Sequence, residues 1–210
     1  MSKHELHYLL VADGSSDAAL QWHINWLLRC HTTAAINAHL PDLGRLPRPP
    51  KTLGERVRQA VALSEVCDIA FVHRDAESKT RETRVSEIQE ACLGISLPVI
   101  CVIPVRMLEA WLLFDEVAIR KAAGNPLGRE RLSLPMIRTI ENVADPKDKL
   151  NAALKTASGL GAHRRQNLKI SAQVRLVAEW IEDFSPLLAV PAFQSLNEEI
   201  AHAIRDNHWG

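Results

Sequence analysis

Several features that mark whole protein classes are missing from this sequence. Its 210 residues carry no net charge, since 25 Lys and Arg balance 25 Asp and Glu. That balance excludes a protein that coats nucleic acid with its whole surface, but leaves a local basic patch open. No apolar run approaches the roughly 20 residues of a membrane span, and the start of the sequence, residues 1–5, lacks a signal-peptide core. We therefore expect a cytoplasmic protein with no membrane partner.

Cysteine is also scarce, and its spacing is uninformative about metals. The four cysteines are scattered, with no Cys-x-x-Cys pair among Cys30, Cys67, Cys92 and Cys101. Zinc sites and disulfide frameworks both require closer or more regular spacing. The pattern indicates reduced thiols in a cytoplasmic protein.

The first half of the chain alternates strand patterns with helix patterns. Apolar runs predict strands at 6–12, 69–72 and 98–105, and a more mixed run predicts another at 32–40. Continuous apolar strands that alternate with helices predict an α/β fold, with a parallel sheet and helices on both faces. Asn37 interrupts the mixed strand, which indicates an edge position.

An edge position for the second strand predicts the order of the sheet. Right-handed crossovers from strand 1 to strand 2, and then back past strand 1 to strand 3, give the order 2-1-3-4. No strand pattern follows residue 105, and the later periodicity is helical. We therefore expect a four-stranded α/β domain at 1–105 and a helical C-terminal extension at 106–210 packed on it.

Acidic residues follow the two strands that this order makes neighbours. Asp13 and Asp17 come after strand 1, and Asp75 and Glu77 come after strand 3. Parallel neighbours about 4.8 Å apart would bring these carboxylates to one crevice. Carboxylates held this close need a cation or a raised pKa, and Mg²⁺ does not require a complete protein cage. A solvated loop beside a helix cap is the alternative interpretation.

A further acid and several basic residues lie near the same edge. Glu109 follows the fourth strand, where it can join Asp75 and Glu77 or form a surface ion pair with Arg106 at i, i+3. The basic candidates for phosphate contacts share a position just after strand 3; they are Arg74, Lys79, Arg81 and Arg84. A denser basic run, 163–165 with Lys169, is either a second phosphate contact or a solvated helix entrance.

These motifs resemble the TOPRIM superfamily, which includes type IA topoisomerases, bacterial primases and several nucleases. The family pattern is Glu-Gly with a later Asp after strand 1, and Asp-x-Asp after strand 3. Residues 13–17, Asp-Gly-Ser-Ser-Asp, match the first motif with Asp in place of Glu. Residues 73–75, His-Arg-Asp, match the second with His in place of the first Asp.

Two later motifs resemble a small, uncharacterised TOPRIM-like family of bacteria and phages. They are Glu-Ala-Trp at 109–111 and Asp-Pro-Lys at 145–147. The resemblance implies metal binding by Asp75 and proton transfer by Asp13. The predicted crevice adds Glu77 and Asp17 as metal ligands and Glu109 as a second catalytic candidate, and Glu77 or Glu109 could complete the metal shell. His73 is a poor ligand for Mg²⁺ and suits Mn²⁺ better.

The leading hypothesis is Mg²⁺- or Mn²⁺-dependent phosphodiester hydrolysis on DNA or RNA. A second is a catalytically degenerate TOPRIM-like module that binds nucleic acid or a nucleotide, or acts as a protein-interaction component of a defence or mobile-element system. The substitution at His73 favours this second hypothesis. A third is a structural or interaction protein whose helical second half is the working surface, with a protein partner or as a homo-oligomer. The absence of net charge favours the last two.

Overall fold

A computed structural model of the protein describes residues 3–12, 14–166 and 170–210. The chain divides into two compact units, Met1–Ile103 together with Ser195–Gly210, and Pro104–Gln194. The predicted boundary at 105 lies close to the break after Ile103. The last sixteen residues, 195–210, which the sequence predicts as part of the extension, group with the sheet.

The sheet has four parallel strands in the order β2-β1-β3-β4, which confirms the predicted fold class and order. The strands are β1 (Glu5–Val11), β2 (Ala35–His39), β3 (Ile69–His73) and β4 (Val99–Val102). The helices are α1 (Leu20–His31), α2 (Leu53–Ala62), α3 (Arg81–Ala91), α4 (Glu116–Ala122), α5 (Pro146–Ala157), α6 (Ala162–Gln166), α7 (Ile170–Trp180) and α8 (Pro191–Asp206). Short 3-10 helices connect several of them.

Strand burial follows strand position. Every residue of β3 is buried, whereas β2 alternates exposed and half-buried residues. A central strand of a parallel sheet is covered on both faces, so it consists of apolar residues throughout. The polar interruptions in β2 are tolerated because it has a neighbour on one side only.

One face of the sheet is covered by α2 and α3. Leu9 and Val11 of β1 lie in a buried cluster with Val57 of α2 and Ile88 of α3. Residues two apart on a strand point to the same face. The apolar positions of the two helices therefore complete a core on this side of the sheet.

The opposite face carries α1. Tyr8 is fully buried there, and its hydroxyl donates a hydrogen bond to Asn25 Oδ1 of α1 at 2.9 Å. Its ring meets Phe71 edge to face, with 5.3 Å between the ring centroids. Burial raises the pKa of Tyr8 far above its usual range, so this hydroxyl stays protonated.

The regular elements described in the second unit are all helices, as the sequence predicts, and irregular segments connect them. Asp145 caps α5 by accepting the amide of Asp148 at 2.8 Å. Trp111 is fully buried and meets Phe193 edge to face, with ring centroids 5.1 Å apart. Among the helices described in either unit, none is long and apolar enough to cross a membrane.

The structure refines two predicted helices. The sequence pattern predicts the third helix from Ser78 to about Leu93, but α3 begins at Arg81 because Thr80 caps it by accepting the amide of Thr83 at 3.3 Å. The apolar spacing after β4 predicts a helix, and the structure has a 3-10 helix there, Leu108–Leu112. The later start of α3 leaves Lys79 in the loop that follows β3.

The capping box of α2 provides a stability prediction. Thr52 accepts the amide of Glu55 at 3.2 Å, and Glu55 accepts the amide of Thr52 at 3.1 Å. Thr52→Ala removes one of these bonds and should lower the free energy of unfolding by about 1 kcal/mol. Urea denaturation measures this change. Thr33→Ala, at an exposed threonine, is the matched control, and an equal loss there would contradict the capping argument.

Candidate functional site at the carboxyl edge of β1 and β3

The predicted crevice lies between β1 and β3. Val11 pairs with Val72 in register, so the two strands end side by side. The first crossover runs from β1 to β2 on one side, while β3 lies on the other side. Open α/β sheets bind ligands at such a switch point, beyond the carboxyl ends of the strands.

His73, the last residue of β3, is fixed by β4. Its side chain is only 2% exposed, and its Nδ1 lies 3.0 Å from the carbonyl oxygen of Val102. A carbonyl oxygen only accepts, so Nδ1 carries the hydrogen and donates it. In the neutral ring, Nε2 then holds a lone pair.

Two carboxylates face Nε2 of His73. Asp75 Oδ1 lies 3.5 Å away and Asp17 Oδ2 lies 3.9 Å away. Asp17 belongs to the 3-10 helix Ser15–Ala19, and the same Oδ2 accepts the amide of Gly14 at 2.9 Å. The structure thus brings together two of the predicted acids around the histidine. A neutral imidazole offers this cluster a nitrogen ligand, and an imidazolium offers it a positive charge.

Glu77 has a different partner. Its φ of 54° is left-handed, and its carboxylate accepts a hydrogen bond from Arg84 Nη2 at 3.0 Å. Its side chain is 59% exposed. The sequence analysis grouped Glu77 with the metal ligands, whereas the structure joins it to α3.

Glu87 is the residue that the sequence analysis missed. It accepts hydrogen bonds from Lys79 Nζ and, at 2.7 Å, from Arg84 Nη1, while Arg74 Nη2 lies 3.9 Å away. The hydrogen bonds from Lys79 and then Arg84 lower the pKa of Glu87 from 4.5 to about 2. The i, i+3 spacing of Arg84 and Glu87 on α3 was the available sequence signal.

The other candidates lie on α3, in the second unit or outside the described residues. Arg81 forms an ion pair with Glu199 of α8. Glu109 lies in the second unit and is 8% exposed. Asp13 and Lys169 lie outside the described residues, and residues 163–165 are exposed on α6.

The described residues include no group of three or more His, Cys, Asp or Glu side chains placed to hold a metal ion. Mg²⁺ commonly uses only one or two carboxylates, together with waters and substrate phosphates. The two carboxylates beside His73 suit that requirement, and the imidazole nitrogen suits Mn²⁺. The donor set is therefore compatible with either ion.

Comparisons with known proteins add no further constraint. No protein-family model matches the sequence, and neither curated proteins nor solved structures gave a match. The function is therefore inferred from the residues and their geometry.

The depressed pKa of Glu87 predicts an acid-sensitive contribution to stability. Glu87→Gln should lower the free energy of unfolding at pH 7 by about 0.5–1 kcal/mol, because the ion pairs are partly screened by solvent. The folded pKa lies below the unfolded one, so this contribution is present above pH 4.5 and disappears as pH falls to about 2. Denaturation of wild type and variant across that range measures it. A pH-independent difference would contradict the assignment, and Glu90→Gln at an exposed position of α3 is the control.

Proposed function

We propose that the protein hydrolyses phosphodiester bonds of nucleic acid with Mg²⁺ or Mn²⁺. The observation that carries this proposal is the position of His73 between Asp17 and Asp75 at the switch point of the sheet. The resemblance of the motifs at 13–17 and 73–75 to TOPRIM enzymes supports the same activity. The proposed substrate is DNA or RNA.

Asp75 and Asp17 are the proposed cation-binding carboxylates. A bound Mg²⁺ or Mn²⁺ would activate water and offset negative charge on the phosphate. His73, oriented by its hydrogen bond to Val102, keeps Nε2 directed at both carboxylates. A ligand histidine held by a backbone carbonyl in this way has a fixed tautomer and ring orientation.

The proton-transfer roles follow from the resemblance. Asp13 is the proposed general acid or base, since it occupies the position of the TOPRIM strand-1 glutamate. Glu109 is the second catalytic candidate because it follows the fourth strand in the sequence, and it could instead complete the metal shell. Glu77 remains a proposed additional metal ligand, provided that it exchanges Arg84 for a cation. Arg74, Lys79 and Arg84 are proposed phosphate contacts, along with Arg81 once it leaves Glu199.

A binding module without catalysis is the second candidate. An imidazolium at His73 would place a positive charge next to Asp17 and Asp75, where a metal ion would otherwise be needed. Such a site would keep the arrangement of its residues but would not catalyse hydrolysis. The nucleic acid or nucleotide would then be bound and not cleaved.

Nuclease activity with Mg²⁺ and with Mn²⁺ tests the main proposal. Asp75→Asn removes a charged ligand while keeping its size, and should lower activity by more than about 100-fold, since even outer-sphere changes cost 10–100-fold. Asp206→Asn is the matched control, at an exposed residue near the end of α8. Equal activity in the Asp75 and Asp206 variants would exclude Asp75 as a ligand.

Substitution of His73 separates hydrolysis from binding. His73→Asp restores the oxygen ligand of the TOPRIM pattern and should raise the affinity for Mg²⁺ by about 10-fold, because Mg²⁺ prefers oxygen. His73→Asn, similar in size and uncharged, should not. Calorimetric titration and a cleavage assay measure both properties. Tighter Mg²⁺ binding without cleavage supports the binding module, and unchanged affinity means that His73 is not at the metal position.

A further inference from the structure

The cations that follow β3 share one carboxylate. Lys79, Arg84 and Arg74 all approach Glu87, and Arg84 also pairs with Glu77. Arg84 therefore lies at the centre of a network that contains two carboxylates, those of Glu77 and Glu87.

Arg84 makes an anion at this position necessary. Its side chain is 4% exposed, and its Nε is buried without a hydrogen-bond partner among the described residues. A guanidinium removed from water in this way is costly unless anions face it. Glu77 satisfies Nη2 and Glu87 satisfies Nη1. Glu87 therefore supplies one of the two carboxylates that offset the charge of Arg84.

The position of Glu87 is also reachable from solvent. Lys79 is 48% exposed, Glu87 30% and Arg74 28%. A phosphodiester resembles a carboxylate, since it carries one negative charge on two equivalent oxygens that arginine binds through paired N–H groups. It can replace the carboxylate charge for charge.

The cluster lies next to the proposed catalytic site along the chain. Arg74 directly precedes Asp75, and Lys79 belongs to the same loop. A phosphate held by these cations would belong to the same nucleic-acid molecule on which Asp75 is proposed to act.

We propose that Glu87 occupies a phosphodiester-binding site of the free protein, and that the backbone phosphate of a nucleic acid displaces it from Lys79, Arg84 and Arg74. In the free protein, Glu87 thereby competes with the nucleic acid for these cations. It also neutralises Arg84 until the nucleic acid binds. This inference rests on the proposed action on nucleic acid and names how its backbone is held.

Binding of a fluorescent oligothymidylate in EDTA tests the inference without any cleavage. Glu87→Gln keeps the size of the side chain and one acceptor oxygen, and it should tighten binding about 5-fold or more. The slope of log K against log salt concentration should steepen by about 0.7 for each phosphate gained. Glu90→Gln adds the same charge at an exposed position of α3 and should change affinity less than 2-fold.

The opposite results overturn the proposal. One is a Glu87→Gln protein that binds no more tightly than Glu90→Gln. Another is an equal gain for polyglutamate, which would show a general charge effect instead of phosphodiester binding. Lys79→Gln gives a second test if Glu87→Gln folds poorly, since it should weaken binding and flatten the salt slope. Unchanged binding by Lys79→Gln would also overturn the proposal.

The metal-free format keeps this inference distinct from the proposed hydrolysis. Loss of cleavage in the Asp75→Asn protein, with Glu87→Gln still binding more tightly, would support both statements. An inactive wild type with the same binding response would remove the hydrolysis and keep the site at Glu87. Active hydrolysis without tighter binding by Glu87→Gln would support the proposed hydrolysis and exclude the site at Glu87.

Discussion

The parallel pairing of β1 with β3 is the constraint on which the rest of the structure depends. It buries every residue of β3 between helices on both faces, and its register ends the two strands together. The residues just past those ends are then forced to share one edge of the sheet. For this reason Asp17, from a 3-10 helix after β1, meets His73 and Asp75 at the end of β3.

The acids near this edge separate into two groups with different counter-charges. Asp17 and Asp75 face an imidazole, which can be neutral. Glu77 and Glu87 face the guanidinium of Arg84, which is always charged. The left-handed backbone of Glu77, which costs about 1 kcal/mol outside glycine, accompanies its turn toward α3. The loop after β3 thereby supplies one carboxylate to each group, Asp75 to the pair that faces the imidazole and Glu77 to the pair that is already neutralised by Arg84.

Patterns local to the chain predicted much of the fold. The apolar run of β3 and the mixed run of β2 indicated centre and edge, and helical periodicity predicted the second unit. The start of α3 was missed, because Ser78 and Thr80 are both plausible caps and only the amide of Thr83 identifies the second. Residues 195–210 cluster with the sheet, which helical periodicity alone cannot reveal. An amphipathic helix joins the unit whose exposed apolar surface it covers, and the helix pattern does not identify that unit.

By itself, the sequence determined which segments are strands and helices, how the strands are ordered, and which edge gathers the acids. Periodicity and crossover handedness are properties of the chain that need no distant contact. Only the tertiary structure decided the partners: His73 with Asp17 and Asp75, and Glu87 with Lys79 and Arg84. Ion pairs form over a few ångströms between side chains whose directions are set by packing. Along the chain, several carboxylates could therefore have formed these contacts, and the packing of the folded chain decided which of them do.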